Sequence, residues 1–195
     1  IMIINVGFGI LLTSLGAVTV SILPPIMIAL GYSTFAAILL PAIGYDALCT
    51  YALLGIPAVV FAQFVGKPVG EVGMYFAQYM PVISTCIALG MLQLTGGFEM
   101  VKKGFIPALI AGVTAGAVAI LMAQVGLVTI TGIAAGLAVI AALVLYVKIT
   151  GKPLQDRALL NDKDLAAEAR LSLLRATSPW ILLTIFSVIL NSPSL

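Results

Sequence analysis

The sequence predicts an all-α membrane protein: a polytopic bundle of about six to seven transmembrane helices, some of them broken or re-entrant. Three observations lead there. The chain is 62% hydrophobic and only 8% charged, with a mean hydropathy of +1.23, whereas a soluble domain carries about 25% charged residues. The charges are confined to a few short stretches. Residues 1–45, 47–66, 72–98, 104–147 and 176–195 hold no Lys, Arg, Asp or Glu. A helix needs roughly 20 apolar residues to cross the hydrocarbon core. One such run can be a buried soluble helix; five in succession require lipid.

The first uncharged run would be about 67 Å long as one helix, twice the thickness of the hydrocarbon core, so it must turn. Gly16 and the pair Pro24-Pro25 offer the breaks. The segment from about Ser33 to Phe64 is also too long for one straight span and is punctuated by Gly44, Asp46, Gly55 and Pro57. A third span is expected from Val72 to Leu94. Phe105 to Gln124 and Leu127 to Val147 form two more, joined tightly around Gln124-Val125-Gly126, and a final span begins near Pro179. The whole of 1–195 reads as one membrane domain. Ile1 in place of a starting methionine, and a last run that stops at Leu195, read as cuts through a longer protein. No basic stretch or cleavage site precedes the first apolar run, which argues against a signal peptide.

The one long polar stretch, 148–177, contains Lys148, Lys152, Arg157, Lys163, Arg170 and Arg175. Basic loops stay on the cytoplasmic side, so it is expected there. A short interfacial helix is expected to begin at Asn161-Asp162-Lys163-Asp164, with acids in its first turn and arginines later. The loop with Lys102 and Lys103 lies two spans earlier and falls on the same side; the loop around Lys67 falls opposite. Gly112 with Gly116, and Gly132 with Gly136, are small-residue pairs that let helices approach closely in lipid. On consecutive helices they predict a tight antiparallel hairpin.

Polar groups inside apolar runs are the candidate functional residues. Asp46 is the carboxylate within a long apolar segment, away from any basic loop. A carboxylate at mid-bilayer costs roughly 2.5–3.5 kcal/mol on insertion scales. One reading makes Asp46 a proton- or cation-coupling group at an unwound helix between Gly44 and Gly55, with Thr50 in the same segment. The other ends the helix near Gly44 and places Asp46 at the headgroups. Gln78 and Thr85 are seven residues apart, hence on one helical face around Pro81; they either line a path or bond to a neighbouring helix. Thr13 and Ser14, with Thr19 and Ser21, give the first run a weakly polar character that suits a re-entrant hairpin or a packed span. Glu71 and Glu99 read as solvated loop charges.

Other chemistries lack their residues. The chain has no histidine, the commonest metal ligand. Cys49 and Cys86 both lie in apolar runs and read as packing residues rather than a disulfide or metal pair. There is no Walker loop, Gly-x-Ser-x-Gly or Cys-x-x-Cys. No enzyme, cofactor or metal site is therefore expected, and a net charge of +2 gives no reason to expect a nucleic-acid partner.

The run Ala29-Leu30-Gly31-Tyr32 followed by Leu54-Gly55-Ile56-Pro57 resembles a pair of motifs, "LGF" and "LGIP", of the lactate permease family. Gly73 to Ser84 resembles that family's G-x-x-x-G-R-Q-L-P stretch. Gly97-Phe98 with Phe105 to Gly112 is similar to its "GW…WPA…AG". Leu174 to Trp180 is similar to the "LRAW-(S/T)-P-(Y/F)" that opens a span. These matches run in order along nearly the whole chain. The resemblance implies a proton symporter of lactate, glycolate and related 2-hydroxy monocarboxylates, of which this chain would be an internal portion. Its partners would be the small solute with its coupling proton or cation, the bilayer of a prokaryotic plasma membrane, and the remainder of the permease. Two departures qualify the substrate. Gln78 stands where the family has an arginine, the natural partner of a carboxylate. The segment Gly44 to Leu53 replaces the family's "ANTAPVAFGA" and brings in Asp46. A carrier for a neutral or cationic solute, and a non-transporting scaffold subunit, are the alternatives.

Overall fold

The structure, a computed structural model, describes residues 2–17, 19–151, 178, 181–186 and 189. Every element among them is helical. A π-helical stretch, Ile3–Phe8, runs directly into α1 (Gly9–Ser14); α2 (Thr19–Ala29) and α3 (Thr34–Tyr45) follow. A 3-10 segment, Asp46–Tyr51, leads into α4 (Ala52–Val65). The long α5 (Val69–Gln124) comes next, then a 3-10 turn, Val128–Ile130, and α6 (Thr131–Ile149). Three of these stretches, Leu48–Val65, Val69–Gln124 and Val128–Ile149, are long and apolar enough to cross a membrane. The chain is thus an all-α membrane helical bundle.

Four helix ends share one chemistry. At Gly16, Gly31, Gly66 and Gly126 the backbone turns left-handed, with φ of +82°, +84°, +65° and +76°. Each glycine N–H donates to the carbonyl three residues back, and the next N–H donates to the carbonyl five back, as in Lys67 to Ala62 at 3.0 Å. The helix's last carbonyls are thereby satisfied without water, which only a residue lacking a Cβ does without strain. The expected break at Gly16 is present. The expected break at Pro24-Pro25 is not: both prolines lie inside α2 and the reversal falls at Gly31. Proline removes a donor and kinks a helix but cannot supply the positive φ that ends one.

The 56 residues of α5 are two arms. At Gly96 and Gly97 the backbone leaves the helix (φ −162°, then +63°) and the chain doubles back. Each arm is roughly 40 Å long. The arms approach at Gly112, where an added methyl group would stand 2.5 Å from the Thr85 nitrogen, and at Gly116, 2.5 Å from Pro81 Cα. Ala108, Ala111, Ala115 and Ala119 complete a fully buried small-residue face. Lipid gives no hydrophobic drive for helix association, so close backbone contact of this kind must supply it.

The second glycine pair packs elsewhere. Gly132 meets Ser14 and Gly136 meets Leu11, while Gly7 meets Ile140. α6 is therefore antiparallel to the N-terminal helix. The expected hairpin between the two glycine pairs is not what forms: each pair serves a different neighbour, although α5 and α6 do pack together. Spacing announces a close approach but does not say to what.

The same pairings place the Gly96-Gly97 bend, the start of the chain and the end of α6 at one end of the bundle. Lys102, Lys103 and Lys148 thus share an end, and Lys67 lies at the other. Glu71 and Glu99 are exposed or half-exposed partners of loop lysines: Lys67 Nζ donates to Glu71 at 2.6 Å, and Lys103 lies 4.0 Å from Glu99. Of the polar stretch 148–177, only 148–151 falls within the described residues, so its interfacial helix lies outside them; Ser178, Ile181–Phe186 and Ile189 are helical, where the last span was expected.

Candidate functional site at a junction of broken helices

Three interruptions of regular helix meet in one place. The first is the end of α1 at Leu15-Gly16-Ala17. The second is residues 46–55, where a 3-10 turn containing Leu48 (φ −143°, ψ 33°) passes into three consecutive left-handed residues. These are Leu53 (φ +51°), Leu54 (φ +57°) and Gly55 (φ +75°). The third is 125–130, from the end of α5 to the 3-10 turn before α6.

Close contacts tie them together. A methyl group at Gly16 would stand 2.9 Å from Leu53 Cδ2, and one at Gly55 would stand 3.1 Å from both the Val128 carbonyl oxygen and Thr129 Cα. One at Gly132 would overlap Ser14 Oγ and stand 3.2 Å from the Tyr51 carbonyl oxygen. Two leucines in the left-handed region cost roughly 1–2 kcal/mol each. Such a conformation persists only where its surroundings over-determine it, and strain of this kind clusters at functional sites.

The local polar groups are arranged around this junction. Thr13 and Thr19 Oγ1 atoms lie 3.4 Å apart, both buried, across the α1–α2 turn. Ser14 Oγ donates to the Ile10 carbonyl at 2.8 Å. Thr131 Oγ1 donates to the Leu127 carbonyl at 3.1 Å, closing the third break. The Tyr51 side chain is fully buried and its hydroxyl donates to the Gly73 carbonyl at 2.8 Å. That bond staples the irregular segment to the start of α5, where Gly73 also packs against Val128. Thr50 is half-buried beside it, and Asp46 is the first residue of the 3-10 turn.

Of the residues singled out in the sequence, Thr13, Ser14, Asp46 and Thr50 thus belong to the segments that converge. Gln78 and Thr85 stand apart, on the first arm of α5. Thr85 is turned towards Gly112 and its hydroxyl donates to the Pro81 carbonyl of its own helix at 2.6 Å. Gln78 is exposed on the surface of the described bundle. Sequence reasoning missed Tyr51, Thr131 and Asn5. Tyr51 gave no signal among other aromatics. Asn5 did: an amide within an apolar run merits the same attention as Asp46. It is fully buried in the π-helical stretch, and its main-chain carbonyl oxygen lies 2.9 Å from where a Gly44 methyl would be. Among the described residues no group of three or more His, Cys, Asp or Glu side chains gathers to hold a metal ion.

The L-lactate permease family matches over residues 1–195, the entire sequence. The chain belongs to that family. Comparison with curated proteins and with solved structures returned no match. This permease is accordingly an integral membrane protein of a family that transports lactate-like solutes, and that family is one of transporters, not enzymes.

Proposed function

We propose that this permease chain carries the solute and coupling-ion site of a multi-pass symporter in a prokaryotic plasma membrane. The symporter takes up a small monocarboxylate such as lactate or glycolate together with a proton or cation. The chain would work with the remainder of the permease. The observation behind this reading is the meeting of three helix interruptions at 15–17, 46–55 and 125–130. Irregular backbone is tolerated at membrane depth only where protein buries it or it lines a cavity. The N–H and C=O groups freed there are the usual ligands for anionic solutes and their coupling ions in transporters. Thr13, Ser14 and Thr50 add hydroxyls, and Asp46 supplies a group that can take up and release a proton.

Asp46→Asn tests the coupling role, since the amide keeps size and hydrogen bonding but cannot ionise. Gradient-driven accumulation of labelled lactate in vesicles is expected to vanish while solute exchange persists. Normal gradient-dependent uptake would leave Asp46 as a helix-end residue. For orientation, the end bearing Lys102, Lys103 and Lys148 is assigned to the cytoplasm by its basic charge. A cysteine at position 103 should resist an impermeant thiol reagent added outside, and one at 67 should react. A second reading rests on Asp46 alone, since Gln78 stands apart from the junction: with a carboxylate in the irregular segment, the solute is neutral or cationic. Competition of lactate uptake by neutral and cationic analogues separates the two.

A further inference from the structure

A cavity of about 620 Å³ opens at the end of the bundle that bears the lysines, away from the helix junction. Ile3, Leu92, Met100 and Val144 are among its walls, with Tyr32 and Tyr146. Among the described residues no charged side chain and no amide lines it. Its size is that of a small-molecule site, but its mostly apolar walls offer a hydrated carboxylate two tyrosine hydroxyls at most in exchange for its water. The two tyrosines are half-buried and sit at helix ends, Tyr32 in the α2–α3 turn and Tyr146 in the last turn of α6. Amphipathic rings favour that level, the membrane–water interface.

Charge supplies the other half of the argument. Lys103 adjoins the lining residue Gly104, and Lys148 adjoins Val147. Among the described residues Glu99 is the acid near Lys102 and Lys103 in sequence, and Lys103 and Glu99 are both mostly solvent-exposed at 4.0 Å separation. An apolar slot with lysines next in sequence to its lining residues at two points fits a molecule with a hydrocarbon tail and an anionic head. We propose that the cavity holds an acyl chain of an anionic phospholipid, with the phosphate held by Lys103 and Lys148. Basic rims between helices on the cytoplasmic side bind such headgroups in this way. The lipid would brace the N-terminal helix against α6 and the α5 bend, since all three contribute walls.

The test uses the full permease purified in mild detergent from vesicles of phosphatidylcholine and phosphatidylglycerol in equal parts. Co-purifying lipid is then quantified by mass spectrometry. Wild type should retain phosphatidylglycerol in preference to phosphatidylcholine. Lys103→Gln should cut that preference about fivefold, the loss expected for one lysine near an anionic surface. Lys67→Gln, at the opposite end, should leave it unchanged. Val144→Trp should displace both lipids by filling the slot, with thermal unfolding checking that the variant is folded. Equal retention of the two lipids by wild type overturns the proposal, as does an equal loss in Lys67→Gln. Undiminished lipid in a folded Val144→Trp also overturns it, because another segment of the protein then fills the slot. None of these outcomes depends on transport, so they stand or fall separately from the symport reading.

Discussion

Two seams of this molecule are built from the same motif and do different work. The Gly112–Gly116 seam joins two regular helical arms. At its glycines an added carbon would overlap the Thr85 hydroxyl and the Pro81 ring, and also the backbone of residues 81 and 85, with Thr85 N and Pro81 Cα 2.5 Å away. The Gly132–Gly136 seam joins a regular helix to one that is about to end. Gly136 meets the Leu11 backbone, with its nitrogen 2.8 Å from an added methyl, but Gly132 meets a side chain, Ser14 Oγ, and the carbonyl of a 3-10 segment. A backbone cannot move without the whole arm, whereas a hydroxyl can rotate. The first seam is therefore expected to act on stability, and the second to couple packing to the junction proposed as the transport site.

The largest effect is expected at the first seam. Gly112→Leu must push the arms of α5 apart and should cost about 3 kcal/mol or more, the upper range for overpacking. Yield and thermal stability of the solubilised protein should collapse, while any folded residue of it keeps wild-type substrate preference. A stable Gly112→Leu variant with altered preference would erase the distinction between the seams.

Gly132→Ala should be milder in stability, about 1–2 kcal/mol, because Ser14 can turn away. Its transport rate should fall by more than its stability explains, and Ser14→Ala in the same chain should restore part of it. Equal, purely structural losses for Gly132→Ala and Gly112→Ala would make the two seams alike after all.

Tyr51→Phe removes only the hydroxyl that bonds the Gly73 carbonyl. A loss of about 1 kcal/mol is expected, read by thermal unfolding. The more informative readout is the KM for lactate, because the bond holds the irregular 46–55 segment in place. An unchanged KM would mean that the neighbouring contacts of Gly55 and Val128 hold the segment unaided.

The smallest effect belongs to the Lys67–Glu71 pair in the α4–α5 turn. The hydrogen bond to Glu71, and then that carboxylate's charge, hold the Lys67 ammonium above its usual pKa. A raised lysine pKa contributes stability that is complete below the unfolded value and fades as pH rises through the folded one. Between about pH 6 and 9 the contribution is constant. Lys67→Gln should thus differ from wild type by a small offset that does not change with pH in that range; a pH-dependent difference within it would reveal a further titrating partner.

Much of this protein was legible in the sequence because lipid imposes a strict rule on composition. Uncharged runs of span length declared the membrane, and the ordered motifs from Ala29 to Trp180 declared the family. The grouping of Lys102 and Lys103 with Lys148, opposite Lys67, followed from counting spans. Gly16 was recognisable as a helix end, and Thr13, Ser14, Asp46 and Thr50 were singled out because polar groups in apolar runs are costly. What the sequence could not state is adjacency. Pro24-Pro25 looks like a break and is not, since ending a helix needs a positive φ that Gly31 supplies. Thr85 and Gln78 share a face by spacing, yet one bonds back to its own helix and the other lies on the surface. Leu53 and Leu54 carry no residue-level mark of a left-handed turn; only packing against Gly16, Val128 and Thr129 over-determines it. Local chemistry fixed which residues must avoid lipid. The tertiary structure alone decided that the three interruptions meet, because contact between segments remote in sequence depends on how the whole bundle packs.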